Sequence, residues 1–308
     1  MQVSQLLDDQ VGLPAAPAPP GVPDVAGELG PWLEQLRRQV TAVLTGFIRD
    51  RCAEYVRDVP GASFVSDLLT EFVPGGKYVR STFTYLGWLS GAAGSRAAVR
   101  AAASTELLHA FALLQDDVMD QSGMRRGRPA AHLRLAEWHR LQGLDGPAGR
   151  FGESAAVLLA DLCLVWAGQL LRDSGLPAAA LARGWPRYDT LRGELAVGQF
   201  ADLVNDARSQ PTLDQVLDVT RRKSGNYTVR RPLELGAALA GCDERTWPCW
   251  AITASWSGRP SSCATTSWAC SAGRRSPASP AAMTCVSARP PASSCWPLSS
   301  PRPASAPS

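Results

Sequence analysis

The chain has 308 residues, 45% hydrophobic and 19% charged, with a formal net charge of +3: enough apolar material for one helical domain of about 250 residues. Its apolar runs stay below the roughly 18 residues of a membrane span, and its first residues lack a basic segment leading into an apolar core, so the expectation is a cytoplasmic chain without a span or leader. The charge is uneven, because no Asp, Glu or Lys follows Glu244 while six arginines do (Arg245, Arg259, Arg274, Arg275, Arg289, Arg302), leaving residues 1–244 at −3. A mildly acidic body excludes a general nucleic-acid binder, which shows a basic face.

In chain order, residues 1–28, containing "GLPAAPAPPGVPDVAGELG", read as a disordered Pro/Ala-rich arm. Residues 29–241 read as successive helices, and no alternating strand pattern interrupts them, so the predicted fold is all-α. In "PWLEQLRRQVTAVLTGFIRDRCAEYV" the spacing puts Leu33, Leu36, Val40, Val43, Leu44 and Phe47 on one stripe, with Pro31 suited to the first turn. "SAAVLLADLCLVWAGQLL" is apolar nearly all round, the pattern of a buried helix. Residues 242–308 read as an irregular tail, which also holds six of the eight cysteines without metal-ligand spacing.

Chemistry concentrates in "STELLHAFALLQDDVMDQSGMRRGRP". Asp116 and Asp120 share a helix face and Asp117 stands beside them; like charges at that spacing oppose a helix, so something must compensate. Hard oxygen ligands suit Mg²⁺, which takes one or two protein carboxylates and completes its shell with water and phosphate oxygens. Arg125 and Arg126 follow, and guanidinium forks match phosphate bidentately. Three further stretches carry compatible groups. "GGKYVRS" supplies Gly75, Gly76, Lys77 and Arg80, the glycines allowing backbone to approach an anion. "AVGQFADLVND" puts Gln199 and Asp202 on one face, and "RRKSGNYTVRR" brings Lys223, Ser224 and Tyr227. Each stretch alone fits a turn, a polar face or a cap, and His109 alone fits a satisfied core histidine.

In this order the motifs resemble those of the trans-isoprenyl diphosphate synthases: a GGKxxRP-like motif, ELLHxxxLxxDDxxDxxxxRRGxP, GQxxD and KTxxY, over about residues 30–241. Ser81 stands in place of the motif's proline and Ser224 in place of its threonine. The resemblance implies an isoprenoid-synthase-type helical bundle around a central cavity, usually a homodimer. It implies condensation of isopentenyl diphosphate with an allylic diphosphate (dimethylallyl, geranyl or farnesyl). Lys77, Arg80, His109 and Arg126 would hold isopentenyl diphosphate, and Asp116, Asp117 and Asp120 the Mg²⁺ that grips the allylic diphosphate. Arg125, Lys223, Ser224 and Gln199 would contact that second substrate. Such chemistry ionises an allylic C–O bond by neutralising the departing diphosphate, so no side chain need be a nucleophile. Phe111, with Ala112 beside it, would floor the product cavity, as in enzymes that make geranylgeranyl diphosphate, with farnesyl diphosphate the next choice.

A second aspartate-rich motif, expected after about residue 245, is not in the sequence, which has no aspartate there. With two lysines against 29 arginines the gene is GC-rich. Codons chosen for "PSSCATTSW" read one base earlier as FQLRDDLL, and those for "SPASPAAMTCVSARPP" as VTGKPGGDDLRERKAT. The expectation is a reading frame lost between about Gly241 and Trp250, with the C-terminal helices missing and the chain inactive as written. Two other readings stay open. A class I terpene cyclase would pair DDxxD with NDxxSxxxE; "NDARSQPTL" supplies Asn205, Asp206 and Ser209 but has Leu213 in place of Glu and a helix-breaking Pro211. A non-catalytic subunit of a synthase heteromer is the other.

Overall fold

The computed structural model describes residues 19–21, 29–207, 212 and 221–243. The helices are α1 (Leu29–Tyr55), α2 (Ala62–Phe72), α3 (Val79–Leu89), α4 (Arg96–Met119), α5 (Ala131–Leu141), α6 (Ala148–Arg172), α7 (Ala178–Asp206) and α8 (Arg231–Ala240), with a π-helical segment Arg221–Arg230 leading into α8. The all-α expectation holds, apart from a two-residue hairpin of β1 (Met124–Arg125) and β2 (Arg128–Pro129). The expected irregular tail lies outside the described residues beyond Asp243. Most of the expected disordered arm also lies outside them, but Pro19–Gly21 have a defined place. Tyr85 donates to the Pro20 carbonyl at 2.9 Å and the Trp32 indole to that of Gly21.

The core is built around α4. Its N-cap Ser95 accepts from the Ala98 N–H at 3.1 Å, satisfying one of the amides a helix start leaves orphaned. Ala98, Ala101, Ala102 and Ala103 are buried, and such small side chains let α1, α3 and α6 pack against the helix. In α1 the buried stripe is Trp32, Leu36, Val40, Leu44, Ile48 and Cys52. Leu33, Val43 and Phe47 flank it, partly buried, so the stripe is rotated slightly from the expected one.

Two expectations need correction. The α6 sequence is not buried all round: Ala156, Ala160, Cys163 and Ala167 face the core, while Leu158 and Val165 are 65% and 56% exposed. The helix packs on α4 and α5 with one side, and its outer side stays apolar and uncovered. Second, α4 and α6 are long and apolar enough to cross a membrane, by length and composition alone. Most of the apolar stretch of α4 is buried in the protein, whereas less than half of that of α6 is.

The end of the described chain is held by two devices. Helices α3 and α8 touch backbone to backbone: a Cβ on Gly236 would lie 1.9 Å from the Thr84 carbonyl oxygen, and one on Gly87 2.2 Å from that of Leu233. An ionic network ties α7 to α8. Arg231 donates to Glu194 at 2.9 Å and to Glu234 at 2.6 Å, and Arg230 to Glu234 at 2.8 Å. Burial pushes the Glu194 carboxyl up, but the Arg231 contacts outweigh it and hold it below its ordinary range. Gly236→Ala should therefore destabilise the fold by about 3 kcal/mol, because backbone cannot yield as a side chain can; the melting temperature should fall by roughly 6–12 °C. Gly46→Ala, at a helical site with nothing within 4 Å of the added carbon, should instead be neutral or slightly stabilising in the same thermal melt.

Candidate active site

Asp116 and Asp117 occupy the last turn of α4, and Asp120 is its C-cap, its N–H donating to the Asp116 carbonyl at 2.8 Å. Asp117 is fully buried, and its carboxylate accepts from Arg125 Nε at 2.9 Å and from Arg125 Nη2. The same Nη2 is 3.6 Å from Asp116 Oδ2, and Gln199 of α7 donates to Asp116 Oδ1 at 3.1 Å. Arg125 is thus the compensating charge that the crowded aspartates require. Burial opposes its charged form, but Asp117, then Asp116 and Asp120, raise its pKa overall.

The hairpin aims the two arginines apart. Its turn residues Arg126 and Gly127 both have positive φ, 51° and 76°, as tight two-residue hairpins need, and at Arg126 that conformation is strained. Arg125, on β1, reaches back to α4. Arg126 points to the loop before α3, donating to the carbonyls of Phe72 at 3.0 Å and Pro74 at 3.2 Å. A Cβ on Gly76 would come within 3.2 Å of Arg126 Nη2, so the glycine makes room for the guanidinium. Burial is the main cause that lowers the Arg126 pKa, and Arg125 adds to it. Tyr78, at φ 52°, ties this loop down: its hydroxyl accepts from the Gly75 N–H at 3.1 Å and meets Thr41 Oγ1 at 3.1 Å.

The sequence-predicted residues fall into two groups. Asp116, Asp117 and Asp120 follow one another at the end of α4, with Arg125 held against the first two and Gln199 against Asp116. Lys77, exposed on the glycine loop, and Arg126 flank that loop. Arg80 instead turns to the π-helical segment, donating to Thr228 Oγ1 at 3.0 Å with its guanidinium carbon 4.3 Å above the Tyr227 ring. His109 lies deeper on α4, 6.2 Å from the same ring, with a buried, unpartnered Nδ1. The backbone of Lys223 and Ser224 lies in the π-helical segment; their side chains are outside the described residues. Phe111 and Ala112 are partly buried against the core beside the aspartates. Asn205 and Asp206 end α7, while Ser209, Pro211 and Leu213 lie outside the described residues. Sequence reasoning missed Glu106, Tyr78 and Thr228, whose partners lie elsewhere in the chain; only the ELLH and KSGNYT motifs hint at Glu106 and Thr228.

Burial first, then Arg80, Arg126 and Arg125, pushes the His109 imidazole well below its ordinary 6.5. The fold therefore holds His109 neutral, and its contribution to stability is complete above about pH 6.5 and is lost as pH falls below that, when the unfolded chain takes the proton first. His109→Gln should flatten the fall in urea-unfolding free energy between pH 7 and 5, by at most about 1.36 kcal/mol per pH unit.

The fold thus brings an aspartate-rich helix end, an arginine hairpin and a glycine–lysine loop to one region of the bundle. The chain belongs to the Polyprenyl synthetase family, which it matches over residues 62–254. It is 28% identical over 170 residues to the geranylgeranyl pyrophosphate synthase of Geoglobus acetivorans, covering 55% of this chain and 48% of that one. It is 31% identical over 178 residues to the nonaprenyl diphosphate synthase of Mycobacterium tuberculosis, covering 58% and 46%. The solved geranylgeranyl pyrophosphate synthase of Corynebacterium glutamicum, complexed with isoprenyl diphosphate and magnesium, matches with a TM-score of 0.67 and 32% identity, covering 71% of this chain and 63% of that one. The chain spans about half the length of the curated relatives it matches. These relatives are prenyl synthases, and neither the cyclase nor the non-catalytic subunit reading is favoured.

Proposed function

We propose that this chain carries the substrate-binding half of an isoprenyl diphosphate synthase, which condenses isopentenyl diphosphate with an allylic diphosphate in isoprenoid biosynthesis. The observation that carries the reading is Arg125 held against Asp116 and Asp117 while Arg126, next in sequence, is held against the glycine loop. One hairpin would thus serve two anion sites.

Among the described residues no three His, Cys, Asp or Glu side chains already converge as a metal cage. Mg²⁺ does not require one, since it takes few protein carboxylates and keeps water and phosphate oxygens. The donor set fits: Asp116 and Asp120 would supply carboxylate oxygens alongside their present partners, and Asp117 would join only by releasing Arg125. Bound there, Mg²⁺ would neutralise charge on a departing diphosphate. Arg125, held beside these carboxylates, would add N–H donors to the same anion. Gln199 orients Asp116. Arg126 and Lys77 would hold isopentenyl diphosphate beside the Gly75–Gly76 backbone. Lys223 and Ser224 are proposed for the allylic diphosphate and Arg80 and His109 for isopentenyl diphosphate, Arg80 after leaving Thr228.

Geranylgeranyl diphosphate is the favoured product, with farnesyl diphosphate next. Phe111→Ala, in a chain with its second aspartate motif restored, should shift products by at least one five-carbon unit, read by chromatography of the dephosphorylated alcohols. The exposed Leu158 and Val165 of α6, two turns apart on one side of the helix, support a homodimer, since exposed apolar side chains are candidates for burial between subunits. The proposed location is the cytoplasm, where soluble diphosphate substrates would be used. The functional reading is tested by calorimetric titration of the chain with inorganic pyrophosphate and Mg²⁺: binding that requires both, and is lost in Asp116→Asn, is expected. Binding indifferent to Mg²⁺ would count against it.

A further inference from the structure

Helix α3 carries Arg80 and follows the glycine loop, yet its start has no cap of its own. Its N-cap residue, Tyr78, is left-handed and makes no side-chain capping bond. The third amide of the helix, on Ser81, is satisfied from outside: Ser81 N donates to Glu106 Oε1 at 2.9 Å, and Ser81 Oγ lies 2.8 Å from the same oxygen. The hydroxyl is also 3.1 Å from the Tyr78 carbonyl, but its one proton favours the charged acceptor. Both residues are buried, Ser81 at 0% and Glu106 at 5% exposure. Proline, which the resembled motif has at this position, could offer neither donor. A carboxylate at a helix N-terminus also complements the helix dipole.

Glu106 belongs to α4, one turn before His109 and on the helix that ends at the aspartates. The Ser81–Glu106 contact therefore joins the cationic limb of the site to the acidic limb through one carboxylate, across 25 residues of sequence. We infer that Glu106 is a positioning residue, and that its capping of α3 through Ser81 sets the placement of Arg80 and the glycine loop relative to Asp116. The inference rests on the diphosphate reading only for its consequence in binding; the placement itself can be measured separately.

The test uses the full chain and two readouts, amide exchange by mass spectrometry and titration with Mg²⁺–pyrophosphate. In Glu106→Leu, protection of the peptide spanning residues 78–86 should fall about tenfold or more, with peptides of α4 between residues 98 and 104 unchanged, and pyrophosphate affinity should drop by a similar factor. Glu106→Gln keeps an acceptor oxygen and should stay within about threefold of the parent in both. Should Glu106→Leu fail to fold, Ser81→Ala, which keeps the N–H and loses one donor, should show a smaller loss confined to the same peptide. Unchanged local exchange in Glu106→Leu, or in Ser81→Ala where that variant decides, overturns the proposal, as does a Glu106→Gln variant as impaired as Glu106→Leu. If the parent chain does not bind Mg²⁺–pyrophosphate, the diphosphate reading fails instead, and local exchange alone decides the positioning role.

Discussion

Given isopentenyl diphosphate, an allylic diphosphate and Mg²⁺, the 308-residue chain should turn over at least about 10³-fold more slowly than a version whose reading frame is restored after residue 241. The proposed condensation would ionise a C–O bond, with a barrier that depends on how completely the departing diphosphate is neutralised. The first aspartate cluster can supply part of that charge, but residues 245–308 contain no carboxylate side chain to hold more metal. A lost metal site costs several kcal/mol of transition-state stabilisation, and each 1.36 kcal/mol is tenfold in rate. The family match itself ends at residue 254, close to the window where the frame is expected to be lost. Pyrophosphate binding should survive in both versions, because Arg125, Arg126 and Asp116 precede that window. The check is steady-state turnover of the two purified chains side by side; rates within tenfold would show that the tail's missing aspartates are dispensable.

The helices were legible because their apolar residues recur at helical spacing: Leu36, Val40 and Leu44 are buried as that spacing requires. For α6 the same reasoning erred, since an apolar sequence tells which residues avoid water and not whether a neighbour is present to cover Leu158. The aspartates and arginines of the site were legible because they lie within one short segment. Their division of labour was not. That Arg125 serves Asp117 while Arg126 serves the Phe72 and Pro74 carbonyls depends on the left-handed turn at Arg126 and Gly127. That Arg80 rests on Tyr227 depends on the backbone contact of α3 with α8. Glu106 escaped notice because its partner is set by packing across the bundle. An acidic residue in an apolar helix signals that a partner exists without saying which one.

Arg125→Gln should lower stability by about 3 kcal/mol, because it leaves the Asp117 carboxylate buried without its counter-charge. Asp117 accepts both Arg125 contacts with a side chain only 1% exposed, and against a total of roughly 5–15 kcal/mol the loss is a large fraction. Adding Asp117→Asn should restore most of it, since an amide needs no counter-ion, and the double variant should melt within a few degrees of the parent. Diphosphate affinity should behave differently. Both the single and the double variant lack the guanidinium fork that would receive the anion, so both should bind Mg²⁺–pyrophosphate about tenfold or more weakly. Stability recovering while binding stays lost is the signature of an arginine that neutralises its own aspartates in the free chain and serves the ligand in the complex. Recovery of binding together with stability would instead make Arg125 a purely structural counter-charge, and the diphosphate would have to be held by Arg126 and Lys77 alone.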